Sequence, residues 1–204
     1  MHKIGLTGGI CTGKSFILNI FKELGCYTIR ADEIAKKIIF SPDSPVSQDI
    51  IREFGKDIYD EKSGLKKEEF TRILFEDVEK RNFVNHIVHP RVVSERDILY
   101  KDLEKVGVYQ FFIYESALMV ESGTYKDFKK IIVVYTSPEE QMKRLQERDG
   151  ISDGDAEKRI KSQFPLSEKL KVANYIIDTS GSFENARAKA LETFHLMEKD
   201  FNNT

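Results

Sequence analysis

Eight residues near the start of this 204-residue chain constrain it more than any others. Gly8-Gly9-Ile10-Cys11-Thr12-Gly13-Lys14-Ser15 matches the phosphate-loop pattern G-x-x-x-x-G-K-[ST] at every fixed position. Its glycines let backbone N–H groups turn inward around phosphate oxygens. A following helix would add a field that favours anions. The context is the required one. Ile4 to Thr7 is a short apolar run that reads as a buried parallel strand. Ile17, Ile20, Phe21 and Leu24 recur at i, i+3, i+4, i+7, one face of a helix, and Gly25 suits its C-terminal stop. The expected ATP-binding set is Gly8, Gly9, Ile10, Cys11, Thr12, Gly13, Lys14, Ser15 and Phe16. Lys14 would reach the β- and γ-phosphates, and Ser15 would hold Mg²⁺.

The rest of the chain alternates strand and helix signals. Tyr27-Thr28-Ile29 reads as a second strand with Ala31-Asp32 at its end. From Ile34 to about Val106 the pattern turns helical and charged, with turn signals at Ser41-Pro42-Asp43-Ser44-Pro45 and Lys62-Ser63-Gly64 and no long strand. Strand signals return at Val108 to Tyr114 and at Lys130 to Tyr135. Ser137-Pro138-Glu139-Glu140 opens a helix: Ser caps, Pro sits first, and Glu lies three residues after the cap. Gln141 to Lys161 reads as two charged helices broken near Gly150. Tyr175-Ile176-Ile177 is a last short strand, and an amphipathic helix covers about Phe183 to Lys199. The expected fold is α/β, a mostly parallel sheet flanked by helices on both faces.

Lys plus Arg is 32 against 34 for Asp plus Glu, a net charge of −2, which argues against non-specific binding of nucleic acid or anionic lipid. Two cysteines, Cys11 and Cys26, make neither a disulfide framework nor a metal cluster. No apolar stretch approaches the roughly 20 residues of a membrane span. No long apolar segment follows Met1, so the expected location is cytoplasmic. Nothing in the patterning selects an oligomeric state.

The residues around the loop point to a family. Ile4-Gly5-Leu6-Thr7-Gly8-Gly9-Ile10 followed by Gly13-Lys14-Ser15 resembles the opening of dephospho-coenzyme A kinases, which are P-loop kinases. Leu24-Gly25 and Ile29-Arg30-Ala31-Asp32 continue it, where that family usually has Asp-Ala-Asp. Phe54-Gly55, Gly64-Leu65 and His89-Pro90 fall where expected. Ala117-Leu118-Met119-Val120-Glu121 is similar to a Pro-Leu-Leu-Phe-Glu segment. Gln141, Arg144, Leu145, Arg148 and Asp149 resemble the lid motif, with Arg159 and Gln163 following. Ala173-Asn174-Tyr175-Ile176-Ile177-Asp178 resembles the last-strand motif. The chain departs from the pattern at Arg30, at Cys11-Thr12 where Gly-Ser is common, at Lys67 for Arg, Ala117 for Pro, Asn174 for Asp and Thr179 for Asn. The resemblance implies ATP-dependent phosphorylation of the ribose 3′-hydroxyl of dephospho-CoA, the last step of coenzyme A synthesis, with ATP and dephospho-CoA as partners and Mg²⁺ as cofactor. It also implies a nucleotide-binding core over 1–33, 108–140 and 169–204, a helical substrate-binding insertion over 34–107, and a helical lid over 141–168. Another small-molecule kinase, such as a nucleoside monophosphate kinase, and a nucleotide-binding regulator without catalysis stand as alternatives.

Individual residues carry competing readings. Asp32 is either the N-cap of a helix starting at Glu33 or, as the resemblance implies, the base that accepts the hydroxyl proton. Arg30 would share a strand face with it, taking substrate phosphate, pairing with Asp32, or lying idle at the surface. Arg144 and Arg148, at i and i+4, make a solvated helix face or a lid that neutralises charge on the transferring phosphoryl group. Arg159 is a weaker candidate of the same kind. Glu115 closes an apolar strand, where an acid could act on Mg²⁺ through water. His89 before Pro90 is a helix C-terminal residue or a substrate contact, and the resemblance adds Lys67 to the substrate set. Glu121 has no assigned role, and His2, His86 and His195 suggest no metal site. Cys11, beside loop N–H groups and Lys14, is either a small residue that fits or an activated thiolate.

Overall fold

The structure is a computed structural model that describes residues 1–41, 44–55, 58–60 and 64–202. It divides into two compact units, Met1–Arg30 with Leu103–Thr204, and Ala31–Asp102. The expected lid, 141–168, falls within the first.

The first unit is built on five parallel strands, β1 (His2–Gly8), β2 (Tyr27–Arg30), β5 (Phe111–Glu115), β6 (Lys130–Tyr135) and β7 (Tyr175–Asp178), in the order β2-β5-β1-β6-β7. A central parallel strand is covered on both faces, and Phe111 to Glu115 is buried at every position. On one face Ile4, Leu6, Phe111, Ile113, Ile132, Val134 and Ile177 meet helix α1 (Lys14–Glu23) through Ile17, Ile20 and Phe21, and helix α9 (Phe183–Asn202) through Ala186, Ala190 and Met197. On the other face Gly5 lies close under two side chains: a Cβ there would sit 2.6 Å from Met119 Sδ and 2.8 Å from Ile131 Cδ1, and both would have to shift. Asn174 does at the edge of β6 what an acid would do, because its Oδ1 accepts the Ile131 N–H at 2.8 Å.

Local signals held where local chemistry decides. Gly25 has φ 85, and the N–H groups of Gly25 and Cys26 return to the carbonyls of Lys22 and Phe21, so α1 ends in a left-handed turn. Ser137 Oγ accepts the Glu140 N–H at the start of α6 (Pro138–Asp149), and Gly150 (φ 63) ends it before α7 (Asp153–Lys161). A short α8 (Leu166–Leu170) follows. The strand expected from Val108 begins only at Phe111. Pairing starts there, with His2 opposite Phe111, and Val108 is 72% exposed.

The second unit holds α2 (Ala31–Phe40), α3 (Pro45–Phe54), α4 (Lys67–Glu76) and most of α5 (Val78–Val106). Its core includes Ile34, Val46, Ile50, Ile58, Phe70, Val84 and Val88. A two-residue antiparallel ladder, β3 (Tyr59–Asp60) on β4 (Gly64–Leu65), was not expected. Of the turn signals, Pro42, Asp43, Lys62 and Ser63 lie outside the described residues.

Two expectations are corrected here. His89 does not end a helix, because α5 runs through Pro90 for 29 residues. Proline in a helix interior costs about 3 kcal/mol. The buried residues Val84, Val88, Val92 and Arg96 recur every fourth position on both sides of it, so tertiary burial carries the helix through. Asp32 is not an N-cap. The helix begins at Ala31, directly after β2, and places Asp32 in its first turn, where the helix field favours a carboxylate.

Candidate active site

The phosphate loop leaves β1 at Gly8 and enters α1 at Lys14. Contact requires glycine at Gly8, and backbone conformation favours it at Gly13. A Cβ on Gly8 would collide with the Val134 carbonyl oxygen, and one on Gly9 would sit 2.6 Å from Gln141 Nε2. Gly13 has φ 84, in the left-handed region. Cys11 also adopts it, at φ 56, the one non-glycine to do so among the described residues. Lys14 Nζ donates to the Gly9 carbonyl at 2.7 Å, and Thr12 Oγ1 donates to the same oxygen at 3.0 Å. The Ile17 N–H returns to Gly13 O as α1 begins. The N-terminal turn of α1 therefore presents its backbone N–H groups and the exposed hydroxyl of Ser15 beside the Lys14 ammonium.

The arginines of the expected lid take different places. Arg144 is fixed: Nε donates to Glu140 at 2.9 Å, Nη1 to Thr179 Oγ1 at 3.2 Å, and Nη2 to Thr179 O at 2.7 Å. Thr179 Oγ1 in turn donates to Thr12 O at 2.9 Å, so Arg144 reaches the loop through one residue. Arg148 is more than half exposed and grips Asp149 with two hydrogen bonds, at 2.7 and 3.0 Å. Arg159 takes the same carboxylate at 2.5 Å. The Arg148 hydrogen bond is the main reason Asp149 is held below the usual carboxylate range.

The thiol of Cys11 reports how these charges converge. Arg148, Lys14 and Arg144 all act on it, each favouring the thiolate, with Asp149 opposing. Burial outweighs them and pushes the Cys11 thiol up. Of the two readings left open for Cys11, this balance favours the small residue that fits over the activated thiolate, because desolvation penalises the anion more than the three cations favour it. Cys26 is more deeply buried, and its pKa is pushed up to about 12.

Glu115 ends β5 beside β1, 4% exposed, and accepts from Arg30 Nε at 3.2 Å. Arg30 and Glu115 are register partners across β2 and β5, which settles the pairing of Arg30 in favour of Glu115. In the second unit Asp32, Lys67 and His89 are all exposed, Asp32 in the first turn of α2, Lys67 opening α4, and His89 in mid-α5. Among the described residues no group of three or more His, Cys, Asp or Glu could hold a metal, and no helix is long and apolar enough to cross a membrane.

Other contacts were not anticipated. Gln141 and Gln163 both bond the backbone of Ile10. Lys169, fully buried, donates to Ala117 O at 2.5 Å and to Glu121 at 2.6 Å, giving Glu121 a structural partner. The available signal was an amide or a cation inside otherwise solvated, charged helices; its partners lie far away in sequence.

Known proteins match this arrangement along most of its length. The profile of the dephospho-CoA kinase family matches residues 2–185. The chain belongs to the dephospho-CoA kinase family. It is 40% identical over 188 residues to the dephospho-CoA kinase of Carboxydothermus hydrogenoformans, covering 92% of this chain and 90% of that one. It is 36% identical to the dephospho-CoA kinase of Aquifex aeolicus, covering 98% and 100%. The solved dephospho-CoA kinase from Campylobacter jejuni superimposes with a TM-score of 0.74 at 29% identity, covering 97% of this chain and 98% of that one. A shikimate kinase from Acinetobacter baumannii, at 14% identity and a TM-score of 0.55, shares the fold. The fold is that of the P-loop kinases, and the family's enzymes are phosphotransferases of coenzyme A biosynthesis.

Proposed function

We propose that the protein performs its family's reaction as a direct, in-line transfer of the γ-phosphoryl group from MgATP to the ribose 3′-hydroxyl of dephospho-CoA. The observation that carries this reading is the phosphate loop at the start of α1, with Lys14 on the Gly9 carbonyl and Arg144 joined to the loop through Thr179. A polyphosphate lying on the loop would meet the backbone N–H groups from Gly13 to Phe16 at the N-terminal turn of α1, together with Lys14, Arg144 and Arg148. Lys14 would leave the Gly9 carbonyl for the β- and γ-phosphates. Arg148 would exchange Asp149 for the transferring group. Arg144, tied to Thr179, would act from a fixed position.

The oxygen donors fit a magnesium ion. The Ser15 hydroxyl is exposed at the start of α1 and Glu115 ends the strand beside the loop, both hard ligands of the kind Mg²⁺ takes directly or through water. Bound there with ATP, the ion would neutralise charge on the phosphate oxygens. Asp32 would orient the 3′-hydroxyl and accept its proton. The helical unit Ala31–Asp102, with His89 and Lys67 exposed, would hold the pantetheine-bearing substrate. The reaction would take place in the cytoplasm, where the two thiols, unpaired in the structure, stay reduced.

Release of ADP, coupled to an indicator enzyme, separates this reading from its competitor. Dephospho-CoA should support turnover and AMP should not. Turnover on AMP with none on dephospho-CoA would make the protein a nucleoside monophosphate kinase.

A further inference from the structure

The lid segment grips the phosphate loop by the backbone of one residue. Ile10 donates its N–H to Gln163 Oε1 at 2.9 Å and accepts at its carbonyl from Gln141 Nε2 at 2.7 Å. Gln141 lies in the first turns of α6 and is 7% exposed; Gln163 lies between α7 and α8. The approach is close: a Cβ on Gly9 would lie 2.6 Å from Gln141 Nε2, so a side chain there would displace the amide. The next residue is Cys11, whose φ of 56 lies in the left-handed region. An L-residue there costs about 1–2 kcal/mol, and such a conformation persists where its surroundings over-determine it.

The geometry points to Gln141 and Gln163 as positioning residues, a two-armed clasp that fixes the Ile10 peptide groups and so holds Cys11 in the left-handed turn that shapes the loop for ATP. The division of labour suits amides. One arm must accept and the other must donate, and neither brings charge to a site meant for phosphates. Ile10 has both backbone groups engaged before the loop reaches Gly13. The donors for phosphate lie farther on, at the N-terminal turn of α1, so the clasp stays closed when the nucleotide binds. Loop shape is thereby coupled to the seating of the lid. The inference rests on the assignment of ATP to this loop.

The test is a rescue. Glycine adopts φ near 56° without the Cβ penalty, so Cys11→Gly removes the strain that the clasp is inferred to hold. Gln163→Leu in the parent should weaken MgATP binding, measured by calorimetry, about five- to tenfold, the worth of one such hydrogen bond. In the Cys11→Gly background the same substitution should change affinity less than about twofold. Gln141→Leu should behave the same way, which keeps the test open if either variant folds poorly. Amide exchange of Ile10 should be slow with and without MgATP in the parent and fast in Gln163→Leu. Equal losses in both backgrounds would mean that Gln163 merely packs the lid. No loss in either, or exchange at Ile10 that quickens when MgATP binds, would likewise overturn the clasp. Lys14→Ala separates the two levels. If it leaves MgATP affinity intact, the ATP assignment has failed; if it weakens binding while Gln163→Leu does not, the clasp alone has failed.

Discussion

Replacing Lys169 by Met should destabilise the protein more than any surface substitution, by an amount that follows from its surroundings. The side chain is fully buried, and its ammonium bonds Ala117 O at 2.5 Å and Glu121 Oε1 at 2.6 Å. Glu121 Oε1 also accepts the Phe164 N–H at 3.0 Å, while its Oε2 is buried with no hydrogen-bond partner among the described residues. Methionine fills much of the lysine volume, so the loss is electrostatic rather than a cavity. It leaves a largely buried carboxylate facing one N–H, and removing one partner of a buried pair costs about 3–5 kcal/mol. At about 2–4 °C per kcal/mol for a chain of this size, Tm should fall by roughly 6–20 °C. Adding Glu121→Gln removes the stranded charge and keeps an acceptor for Phe164, so the double variant should recover at least about 1 kcal/mol over Lys169→Met alone. Thermal melts followed by circular dichroism read both numbers. A single variant within about 1 kcal/mol of the parent, or a double variant less stable than the single, would refute the reasoning.

Three further outcomes are expected. Asp32→Asn should lower kcat by about 10²–10⁴ with much smaller changes in KM for either substrate, as for a positioned base; steady-state kinetics on the folded variant checks this. A thiol-alkylating reagent should label Cys11 before Cys26, more slowly when MgATP is present, and its rate should still be climbing above the ordinary thiol range, because burial raises the Cys11 pKa. In hydrogen exchange without ligand, α7, which buries only Ala156, should open well before β1, β5 and β6, and MgATP with dephospho-CoA should slow it.

What the sequence disclosed follows from where the deciding physics lies. The loop, the Gly25 stop and the Ser137 cap were legible because each is settled within a few residues by backbone sterics or one side-chain hydrogen bond. Pro90 misled because a strong local rule was overridden by a buried row, Val84, Val88, Val92 and Arg96, whose burial is tertiary. The cap reading of Asp32 failed by two residues, since α2 follows β2 with no intervening turn. The clasp on Ile10 joins residues 131 and 153 positions apart, a distance no local pattern spans. For Cys11 the sign of Lys14 was legible, while Arg148, Arg144 and Asp149 reach it only through the fold. The desolvation that wins is a property of the packed loop alone. Arg30, out of place against the family's usual acid, became intelligible only when the sheet order set β2 against β5 and put Glu115 opposite it.

In the proposed reaction the phosphates of ATP lie on the loop at Lys14, and transfer to dephospho-CoA depends on that contact. Turnover of Lys14→Ala with MgATP and dephospho-CoA, measured by ADP release on protein whose melt matches the parent, tests it most directly. A loss of at least about 100-fold is expected, roughly 2.7 kcal/mol of transition-state stabilisation. A loss of less than about tenfold, under roughly 1.4 kcal/mol, would contradict it.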